Sequence, residues 1–304
     1  MIVAKTPFRI GLVGGSTDLQ KFIDVNKYGS VISFPVNKYT YISIYESHDT
    51  NYKIVYSKVE LTDDVSKIQN DIAREVLKYF DAPPLTVVFN ADIPAVRGGL
   101  AASSSYTISM IKAVSMYMKK EMTQFDICRL ALEIERKFNI LTGYQDTYGC
   151  GMPCLKRIHI YSNEIIFKYL DTNMFENINM YLYDTKLRRG STAVLSDINI
   201  DKAAKLIPLV AEMEETLNTK NIKEFHKIMS NSWEQKKATS RLIMENKQLS
   251  ALDEYLRHRK DIQSYKLLGA GGGGYFLVFS DQLLDSEDFI EIKIDNVGVT
   301  GMEV

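Results

Sequence analysis

One glycine- and serine-rich stretch, residues 94–106 (PAVRGGLAASSSY), contains the residue types that hold phosphate groups. The apolar run 85–89 before it predicts a strand, and apolar residues recur at helical spacing over 108–118. We therefore expect a helix to begin on the serines. Small residues at a helix start let backbone N–H groups approach a ligand, and the helix dipole favours an anion there. The stretch is a candidate phosphate-binding loop.

The same stretch also fits a plainer interpretation, because serine is a common helix N-cap and glycine is common in turns. It lacks the terminal Gly-Lys-Ser/Thr of a Walker loop, and it lacks the Gly-x-Gly-x-x-Gly pattern of dinucleotide-binding folds. Its composition alone therefore leaves both interpretations open, and support for phosphate binding has to come from other parts of the chain.

A carboxylate follows two glycines near the start of the chain. Residues 7–18 (PFRIGLVGGSTD) alternate apolar side chains with Arg9 and Gly11, which predicts a strand that ends in a glycine turn beside Asp18. An ionised carboxylate next to exposed backbone is suited to sugar hydroxyls, because it accepts strong charge-assisted hydrogen bonds. Asp18 is equally placed to cap a helix over residues 19–22, so both roles stay open.

Further acids lie in and after a predicted helix at residues 125–138. Glu133 and Glu135 are two positions apart and cannot share a helix face, so one points toward the neighbours of the apolar stripe and the other is solvated. Asp146 follows in a glycine-flanked turn between aromatic residues, where partial burial and fixed neighbours would suit it to act as a base. A plain turn aspartate fits the same residues.

Two other stretches are candidates for binding. Residues 185–192 (TKLRRGST) place two arginines, a lysine and hydroxyls in a loop, which fits a clamp for a phosphate or carboxylate and equally fits a solvated basic turn. The glycine run 269–274 leads into the apolar strand 275–279, and such a run permits close approach of the backbone to another segment or a ligand.

The surrounding pattern predicts a chain of mixed helices and strands. A largely antiparallel sheet is expected from the alternating, aromatic-rich runs, and helices from apolar residues at helical spacing. The locally polar, Asn-rich sequence from about Asn163 marks a domain boundary, which predicts domains at 1–163 and 164–304. The predicted strands are 30–35, 39–45, 53–57, 180–184 and 290–294, and the predicted helices are 71–80, 200–218, 222–240 and 248–259.

The composition narrows the class of protein. With 304 residues, 45% of them hydrophobic and 25% charged, the chain is typical of a soluble globular protein of one large or two modest domains. Its net charge of -1 arises from dispersed charges, which do not imply a broad nucleic-acid surface but leave a local basic pocket open; we expect no nucleic-acid partner. The 3 cysteines lack the spacing of a zinc site and predict reduced thiols in a cytoplasmic protein. No signal sequence or membrane span is expected.

Three separated signatures stand in a fixed order: the turn GGSTD at 14–18, the loop GLxxSSS at 99–105 and the run LGAGGGG at 268–274. Together they resemble the GHMP small-molecule kinases, such as galactokinase, homoserine kinase, mevalonate kinase and phosphomevalonate kinase, over residues 5–279. Within that superfamily the chain is most similar to the D-glycero-D-manno-heptose 7-phosphate kinase branch. The motifs that carry this similarity are Pro7-Phe8-Arg9, Gln145-Asp146-x-Tyr148, Thr185-x-x-x-Arg189, and Trp233 with Lys236-Lys237.

The resemblance implies an α+β, two-domain GHMP kinase fold, with an N-terminal domain like ribosomal protein S5 domain 2, a ferredoxin-like C-terminal domain, and the active site in the cleft between them. It implies that ATP, with Mg²⁺, phosphorylates D-glycero-D-manno-heptose 7-phosphate or a related sugar phosphate at the anomeric hydroxyl. The alternatives are a kinase for an unphosphorylated sugar and a catalytically silent relative that binds sugar or nucleotide. We expect a monomer or homodimer with a small-molecule substrate.

The resemblance also assigns roles to particular residues. Asp146 would accept the proton of the reacting sugar hydroxyl or orient that hydroxyl, with Arg9 beside it. Glu135 and Ser103 would hold Mg²⁺, and the glycine run would pack against the loop at 98–105 and shape the nucleotide cleft. The residues expected to bind the ATP phosphates are Gly98, Gly99, Leu100, Ala101, Ala102, Ser103, Ser104 and Ser105. Those expected to bind the acceptor are Gly14, Gly15, Ser16, Thr17, Asp18 and, for a phosphate already on the substrate, Arg189.

The chain departs from this branch at Ala101, Ala102 and Tyr144 and in the turn at residues 150–154. Ala101 and Ala102 stand where the branch has glycine and serine, so Ser103, Ser104 or a water has to supply the missing hydroxyl. Alanine also takes a positive φ less easily than glycine, by roughly 1 kcal/mol. Tyr144 stands where the branch commonly has lysine, and the turn at 150–154 (CGMPC) differs from the usual alanine-rich run. Both departures predict a different sugar phosphate as acceptor.

Overall fold

The structure is a computed structural model that describes residues 1–47, 50–94, 98–188, 191–284 and 287–304. The strands are β1 (Ile2–Val13), β2 (Tyr28–Glu46), β3 (Tyr52–Val55), β4 (Val59–Thr62), β5 (Leu85–Ala91), β6 (Lys156–Tyr161), β7 (Ile165–Tyr169), β8 (Asn179–Asp184), β9 (Ser264–Leu267), β10 (Tyr275–Ser280), β11 (Phe289–Ile292) and β12 (Thr300–Glu303). The helices are α1 (Gln20–Asn26), α2 (Asp71–Phe80), α3 (Ala102–Tyr117), α4 (Gln124–Phe138), α5 (Tyr144–Gly151), α6 (Ser191–Asp197), α7 (Ile200–Ala204), α8 (Leu206–Thr219), α9 (Ile222–Ala238) and α10 (Lys247–His258). The predicted α+β class is confirmed.

The larger sheet has eight strands in the order β12-β1-β2-β5-β3-β4, with β6 paired to β2 and β7 paired to β6. Strand β2 is 19 residues long and pairs with β6 through its first part and with β5 through its last part. The pairing of β1 with β2 is irregular between Pro7 and Arg9. Irregular pairing re-aims the side chains beside it, and the side chain of Arg9 at this point is buried between the two halves of the protein.

Helix α3 packs against β1 and β2 and is fixed to them by buried hydroxyls. The Ser105 hydroxyl donates to the Thr6 carbonyl at 2.9 Å and lies 2.7 Å from the Thr40 hydroxyl, and Ser109 donates to the Thr6 hydroxyl at 2.7 Å. Buried hydroxyls that find partners hold a helix at one height along the sheet. The N-terminus of α3 is therefore fixed relative to Arg9 on β1.

The smaller sheet is antiparallel, with the order β11-β8-β10-β9. Side chains of β1, α8, α9 and β10 share one apolar cluster, which includes Phe8, Val210, Phe225 and Leu277. Burial of these apolar surfaces is the main force that joins the second half of the chain to the first sheet. The division at residue 163 stays a prediction, although β7 and β12 beyond it belong to the larger sheet.

Several expected elements differ in extent. The two strands expected at 30–35 and 39–45 form the single strand β2, because Pro35, which has no N–H, pairs with Arg9 at the irregular part of the sheet. The helix expected at 200–218 is divided at Lys205 into α7 and α8. The turn expected around Asp146 is the short helix α5. In the described ranges, no helix combines the length and the apolar composition needed to cross a membrane.

Candidate active site

A cavity of about 260 Å³ lies between the two halves of the chain. The first half lines it with the turn after β1, the loop before α3, the α3 N-terminus, Glu135 of α4 and the start of α5. The second half lines it with α9, β9 and the glycine run. The three stretches that the sequence singled out therefore meet in one place, as the predicted cleft requires.

The loop before α3 has the backbone that its glycines permit. Gly98 and Gly99 have φ of 83° and 89°, and a Cβ on Gly269 would lie 2.6 Å from the Gly99 Cα. The glycine run therefore packs directly against this loop, which confirms the predicted contact between them. Ala101 has φ 58° and ψ 43°, so alanine here adopts the left-handed conformation that glycine takes more easily.

The first turn of α3 faces the cavity, and Ala102, Ser103 and Ser104 line it. The first N–H groups of a helix have no acceptor within the helix, and the positive end of the dipole lies there. Ala101, the N-cap, provides no side-chain hydrogen bond. These amides are therefore available to an anion such as phosphate.

Two residues of the predicted phosphate loop do not reach the cavity. The Ser105 side chain is fully buried against β1 and β2 and bonds to Thr6 and Thr40 there. Leu100 is buried, and its carbonyl accepts the backbone N–H of Arg9 at 3.3 Å. Both residues position the loop.

Arg9, which is buried, and Asp146, whose side chain is 30% exposed, form an ion pair at the cavity wall. Nε and Nη2 of Arg9 donate to the same oxygen, Asp146 Oδ1, at 3.1 and 2.5 Å, and Nη1 donates to the Gly99 carbonyl at 2.8 Å. Burial by itself lowers the pKa of Arg9, but Asp146 more than offsets it, so the pKa lies above its usual value. The guanidinium thus joins α5 to the phosphate loop and stays charged.

Asp18 holds the N-terminus of α5. Its Oδ1 accepts the Ser16 N–H at 3.1 Å and its Oδ2 accepts the Gln145 N–H at 3.0 Å. A Cβ on Gly143 would lie 2.2 Å from that Oδ2, so glycine is needed there. Asp18 therefore caps helix α5. It does not cap the helix expected at 19–22, which is α1 and whose N-cap is Leu19. Burial, followed by the charge of Asp146, raises the pKa of Asp18.

The other residues of the GGSTD turn divide between the cavity and the scaffold. Gly15 and Ser16 line the cavity. Gly14 has φ 87° and is packed against the Ser30 carbonyl, and the buried Thr17 hydroxyl donates to the carbonyls of Gly14 and Ser30. Arg189, the predicted partner of a substrate phosphate, lies outside the described residues.

Glu135 is the acid of α4 that faces inward. It is 1% exposed and lines the cavity, whereas Glu133 is exposed, so the expected separation of the two acids is confirmed. The Ser104 hydroxyl donates to Glu135. Burial raises the pKa of Glu135 to about 7. Hydrogen bonds from Ser103 and Ser104 lower this pKa but do not offset the effect of burial.

The side chains that hydrogen-bond to Glu135 are the hydroxyls of Ser103 and Ser104, and such oxygen ligands fit a hard cation such as Mg²⁺. No group of three or more His, Cys, Asp or Glu side chains that could hold a metal occurs among the described residues. Mg²⁺ bound with nucleotide phosphates needs only one or two protein carboxylates. The donor set therefore fits a cation that arrives with a nucleotide.

A buried lysine that sequence analysis missed holds the other end of α5. The Lys156 ammonium donates to the carbonyls of Met152, Cys154 and Pro153 at 2.8, 3.2 and 3.3 Å. A cation at a helix C-terminus is stabilised by the dipole and by the free carbonyls. Burial lowers its pKa to about 7. The 8-residue helix that carries Asp146 is therefore held by a carboxylate at one end and an ammonium at the other.

Three more polar side chains line the cavity without a role assigned from the sequence. Lys236 of α9 and Lys266 of β9 are 7% and 6% exposed. Gln145 is 5% exposed, and its buried Nε2 has no hydrogen-bond partner in the part of the chain that is described. The motif of Trp233 with Lys236-Lys237 already included one of them. A lysine inside an otherwise apolar helical stripe or strand is a second signal that could have pointed to both lysines.

Comparison with known proteins places these features in a family. Residues 66–153, which include the phosphate loop, α3, α4 and α5, match the profile of the GHMP kinases N terminal domain. The D-glycero-alpha-D-manno-heptose 7-phosphate kinase of Campylobacter jejuni is 27% identical to this chain. The similarity covers 92% of this chain and 89% of that protein. A galactokinase of Thermotoga petrophila is 24% identical over 86% of this chain and 71% of its own.

The fold agrees with that of a solved sugar kinase. The crystal structure of a D-glycero-D-manno-heptose 1-phosphate kinase from Bacteroides thetaiotaomicron superposes with a TM-score of 0.79 at 19% identity. The similarity covers 100% of this chain and 99% of that one. The overall fold of this chain is therefore similar to that of this solved kinase along its whole length.

Proposed function

Since this chain belongs to the GHMP kinases, phosphotransferases with an alcohol group as acceptor, we propose that it uses ATP to phosphorylate a sugar phosphate. The acceptor we propose is D-glycero-D-manno-heptose 7-phosphate or a related sugar phosphate, which reacts at its anomeric hydroxyl. The similarity to a heptose 7-phosphate kinase over most of both chains supports this acceptor class.

The observation that carries the proposal is the position of Asp146. Arg9 holds one carboxylate oxygen, Oδ1, while Oδ2 accepts no hydrogen bond from the described residues. Asp146 and the α3 N-terminus line the same cavity. Asp146 is thus placed to accept the proton of an acceptor hydroxyl, or to orient that hydroxyl, toward a phosphate held at the helix end.

The α3 N-terminus is the proposed site for the ATP phosphates. The amides of its first turn and the Ser103 and Ser104 hydroxyls supply donors in a fixed arrangement, so little reorganisation is needed when negative charge shifts during transfer. Glu135, with Ser103 or Ser104, would hold Mg²⁺. When bound, Mg²⁺ supplies charge neutralisation at the phosphate oxygens.

The acceptor would lie against the other wall of the cavity. Gly15, Ser16 and Asp18 line the cavity, and each carboxylate oxygen of Asp18 accepts one backbone N–H. The unpartnered Nε2 of Gln145 is one residue from Asp146 and can donate to an oxygen of the acceptor. Leaving this buried donor unpaired costs about 1–3 kcal/mol, which a bound oxygen would remove.

A second candidate function is phosphorylation of an unphosphorylated sugar, which the similarity to a galactokinase favours. The two candidates share the cavity and Asp146, and they differ in whether the acceptor carries a phosphate. Turnover is therefore to be compared for each sugar with and without its phosphate.

The test is release of ADP from Mg²⁺-ATP with heptose, hexose and pentose phosphates and with the matching free sugars. We expect the highest kcat/KM with a sugar phosphate, and a phosphorus NMR spectrum of the product with a new phosphate on the anomeric carbon. Turnover confined to free sugars favours the second candidate. If the protein binds ATP and sugar but turns over no acceptor, the remaining interpretation is a catalytically silent relative that binds sugar or nucleotide.

A further inference from the structure

Two buried lysines of the second half of the chain face the cavity and are not used by the proposed chemistry. The Lys236 ammonium on α9 donates to the Ser16 hydroxyl at 2.5 Å, and the Lys266 ammonium on β9 donates to the Leu12 carbonyl at 2.9 Å. Both side chains are more than nine-tenths buried, and both line the cavity. Each contact crosses from the second half of the chain to the turn after β1.

These two contacts leave most of the hydrogen-bonding capacity of the lysines unused. An ammonium has three N–H donors, and one acceptor is found for each lysine among the described residues. Within the residues that the structure describes, no carboxylate lies within ion-pair distance of either ammonium. A buried cation without an ion-pair partner is costly, so two of them on the wall of one cavity point to a ligand with negative charge.

The electrostatics of the cavity agree with this. Burial lowers the pKa of Lys236 to about 8, partly offset by Asp18 and Asp146, and Arg9 also lowers it. Burial, and then the charges of Lys236 and Arg9, lower the pKa of Lys266 to about 7. The three cations are therefore close enough to repel one another, and an anion bound among them would relieve that repulsion.

The position of the pair identifies the chemical class of the anion. Lys236 bonds to Ser16, whose N–H is held by Asp18 in the proposed acceptor turn. Lys266 lies three residues before Gly269, which packs on the phosphate loop at Gly99. The pair therefore lies between the acceptor wall and the nucleotide loop, where phosphate oxygens are present in the reaction proposed above.

We propose that Lys236 and Lys266 form a subsite for phosphate oxygens, in addition to the α3 N-terminus. This inference rests on the proposed function for the source of the phosphate, which is either the phosphate on the acceptor or the phosphoryl group in transfer. Two cations at fixed positions stabilise a dianion by direct charge–charge attraction and by hydrogen bonding.

Binding of inorganic phosphate to the protein without nucleotide tests the subsite independently of turnover. The variants are Lys236→Met and Lys266→Met, which keep chain length and remove charge, with Lys227→Met at an exposed position of α9 as the matched control. Each lysine variant should raise the dissociation constant for phosphate at least tenfold, and the control should not. Unchanged phosphate affinity in both lysine variants overturns the proposal, even if their turnover falls.

A measurement on the unaltered protein covers the case in which a lysine variant does not fold. Inorganic phosphate should slow acetylation of Lys236 and Lys266 by acetic anhydride, followed by peptide mass spectrometry, and leave the rate at Lys227 unchanged. If phosphate changes the acetylation rate at none of the three lysines, the subsite is contradicted.

Kinetics then distinguish the two sources of phosphate. If the subsite holds the acceptor phosphate, each lysine variant raises KM for the sugar phosphate at least tenfold and leaves KM for ATP unchanged. If it holds the group in transfer, kcat falls with phosphorylated and free sugars alike. Either result supports the subsite. If no acceptor turns over at all, the proposed function fails while the phosphate-binding result still decides the subsite.

Discussion

The carboxylate of Asp18 accepts the backbone N–H of Gln145, 127 positions away and immediately before Asp146, at 3.0 Å. The turn at residues 14–18 and the helix that carries Asp146 are therefore one hydrogen-bonded unit. The Tyr144 N–H donates to the Asp18 carbonyl as well, at 3.2 Å. A change in the turn at residues 14–18 is thus transmitted to the position of Asp146.

Asp18→Asn should weaken both the helix end and the acceptor site. The amide cannot accept both N–H groups as the carboxylate does, so we expect the free energy of unfolding to fall by about 1 kcal/mol, as for loss of a helix cap. We expect KM for the acceptor to rise about tenfold, the loss of one charge-assisted hydrogen bond. Urea unfolding and initial-rate kinetics measure the two effects. Asp63→Asn, at an exposed position, is the control. If Asp18→Asn and Asp63→Asn have the same KM for the acceptor, Asp18 does not bind the acceptor.

Ala101→Gly should stabilise the phosphate loop. Alanine at φ 58° carries a steric cost of about 1–2 kcal/mol, and glycine there adds an unfolded-state entropy cost of about 0.4–1 kcal/mol. The net gain therefore lies between about 0 and about 1.6 kcal/mol. Ala102→Gly is the matched control, because Ala102 has helical backbone and glycine there costs about 0.5–1 kcal/mol. Urea unfolding should rank Ala101→Gly above Ala102→Gly; equal losses in the two variants contradict the expectation.

Lys156 should make stability depend on pH. Its pKa is lowered by burial to about 7, from an ordinary value of 10.5, so above pH 7 the unfolded chain binds more protons at this site than the folded one. The contribution of Lys156 to stability therefore rises with pH from about 7 to about 10 and is smallest below pH 7. In Lys156→Met this part of the rise disappears.

The measurement is the free energy of urea unfolding at several pH values between about 7 and about 10 for the wild type, Lys156→Met and the exposed-site control Lys53→Met. The difference between wild type and Lys156→Met should grow as the pH increases. A difference that is constant across this range would show that Lys156 stays charged in the folded protein.

Glu135→Gln should act on the metal requirement. The amide keeps the shape and loses the negative charge, so the Mg²⁺ concentration for half-maximal rate should increase by about tenfold or more, while the acceptor KM stays within about twofold of wild type. Rate measurements at fixed ATP over a range of Mg²⁺ test this. Glu133→Gln, on the exposed side of the same helix, should leave the Mg²⁺ dependence unchanged. Equal Mg²⁺ dependence in the two variants would exclude Glu135 as a metal ligand.

Local signals in the sequence predicted the parts of the site that depend on neighbouring residues. The start of α3 at Ala102 follows from small residues before an apolar helical pattern, and the inward position of Glu135 follows from helix periodicity. The close packing of Gly99 and Gly269 is expected where two glycine-rich segments have no side chains to keep them apart.

The parts that depend on distant residues could not be predicted in this way. No local pattern relates Asp18 or Lys156 to the two ends of α5, because a helix of 8 residues has little stability of its own and depends on caps supplied by tertiary contacts. Pro35 predicts the end of a strand, but an irregular register accommodates it within β2. Lys236 follows the polar Glu234 and Gln235, Lys266 lies between Tyr265 and Leu267, and only the fold brings the two ammonium groups to one cavity.

The most direct test of the account is the turnover of Asp146→Asn with Mg²⁺-ATP and the preferred acceptor, together with the affinity of the variant for a non-hydrolysable ATP analogue. We expect kcat to fall by about 10²- to 10⁴-fold, as for loss of a general base, with analogue affinity unchanged because the α3 N-terminus is intact. A variant that binds the analogue and turns over at the wild-type rate would contradict the assignment of Asp146 as the residue that directs the acceptor hydroxyl.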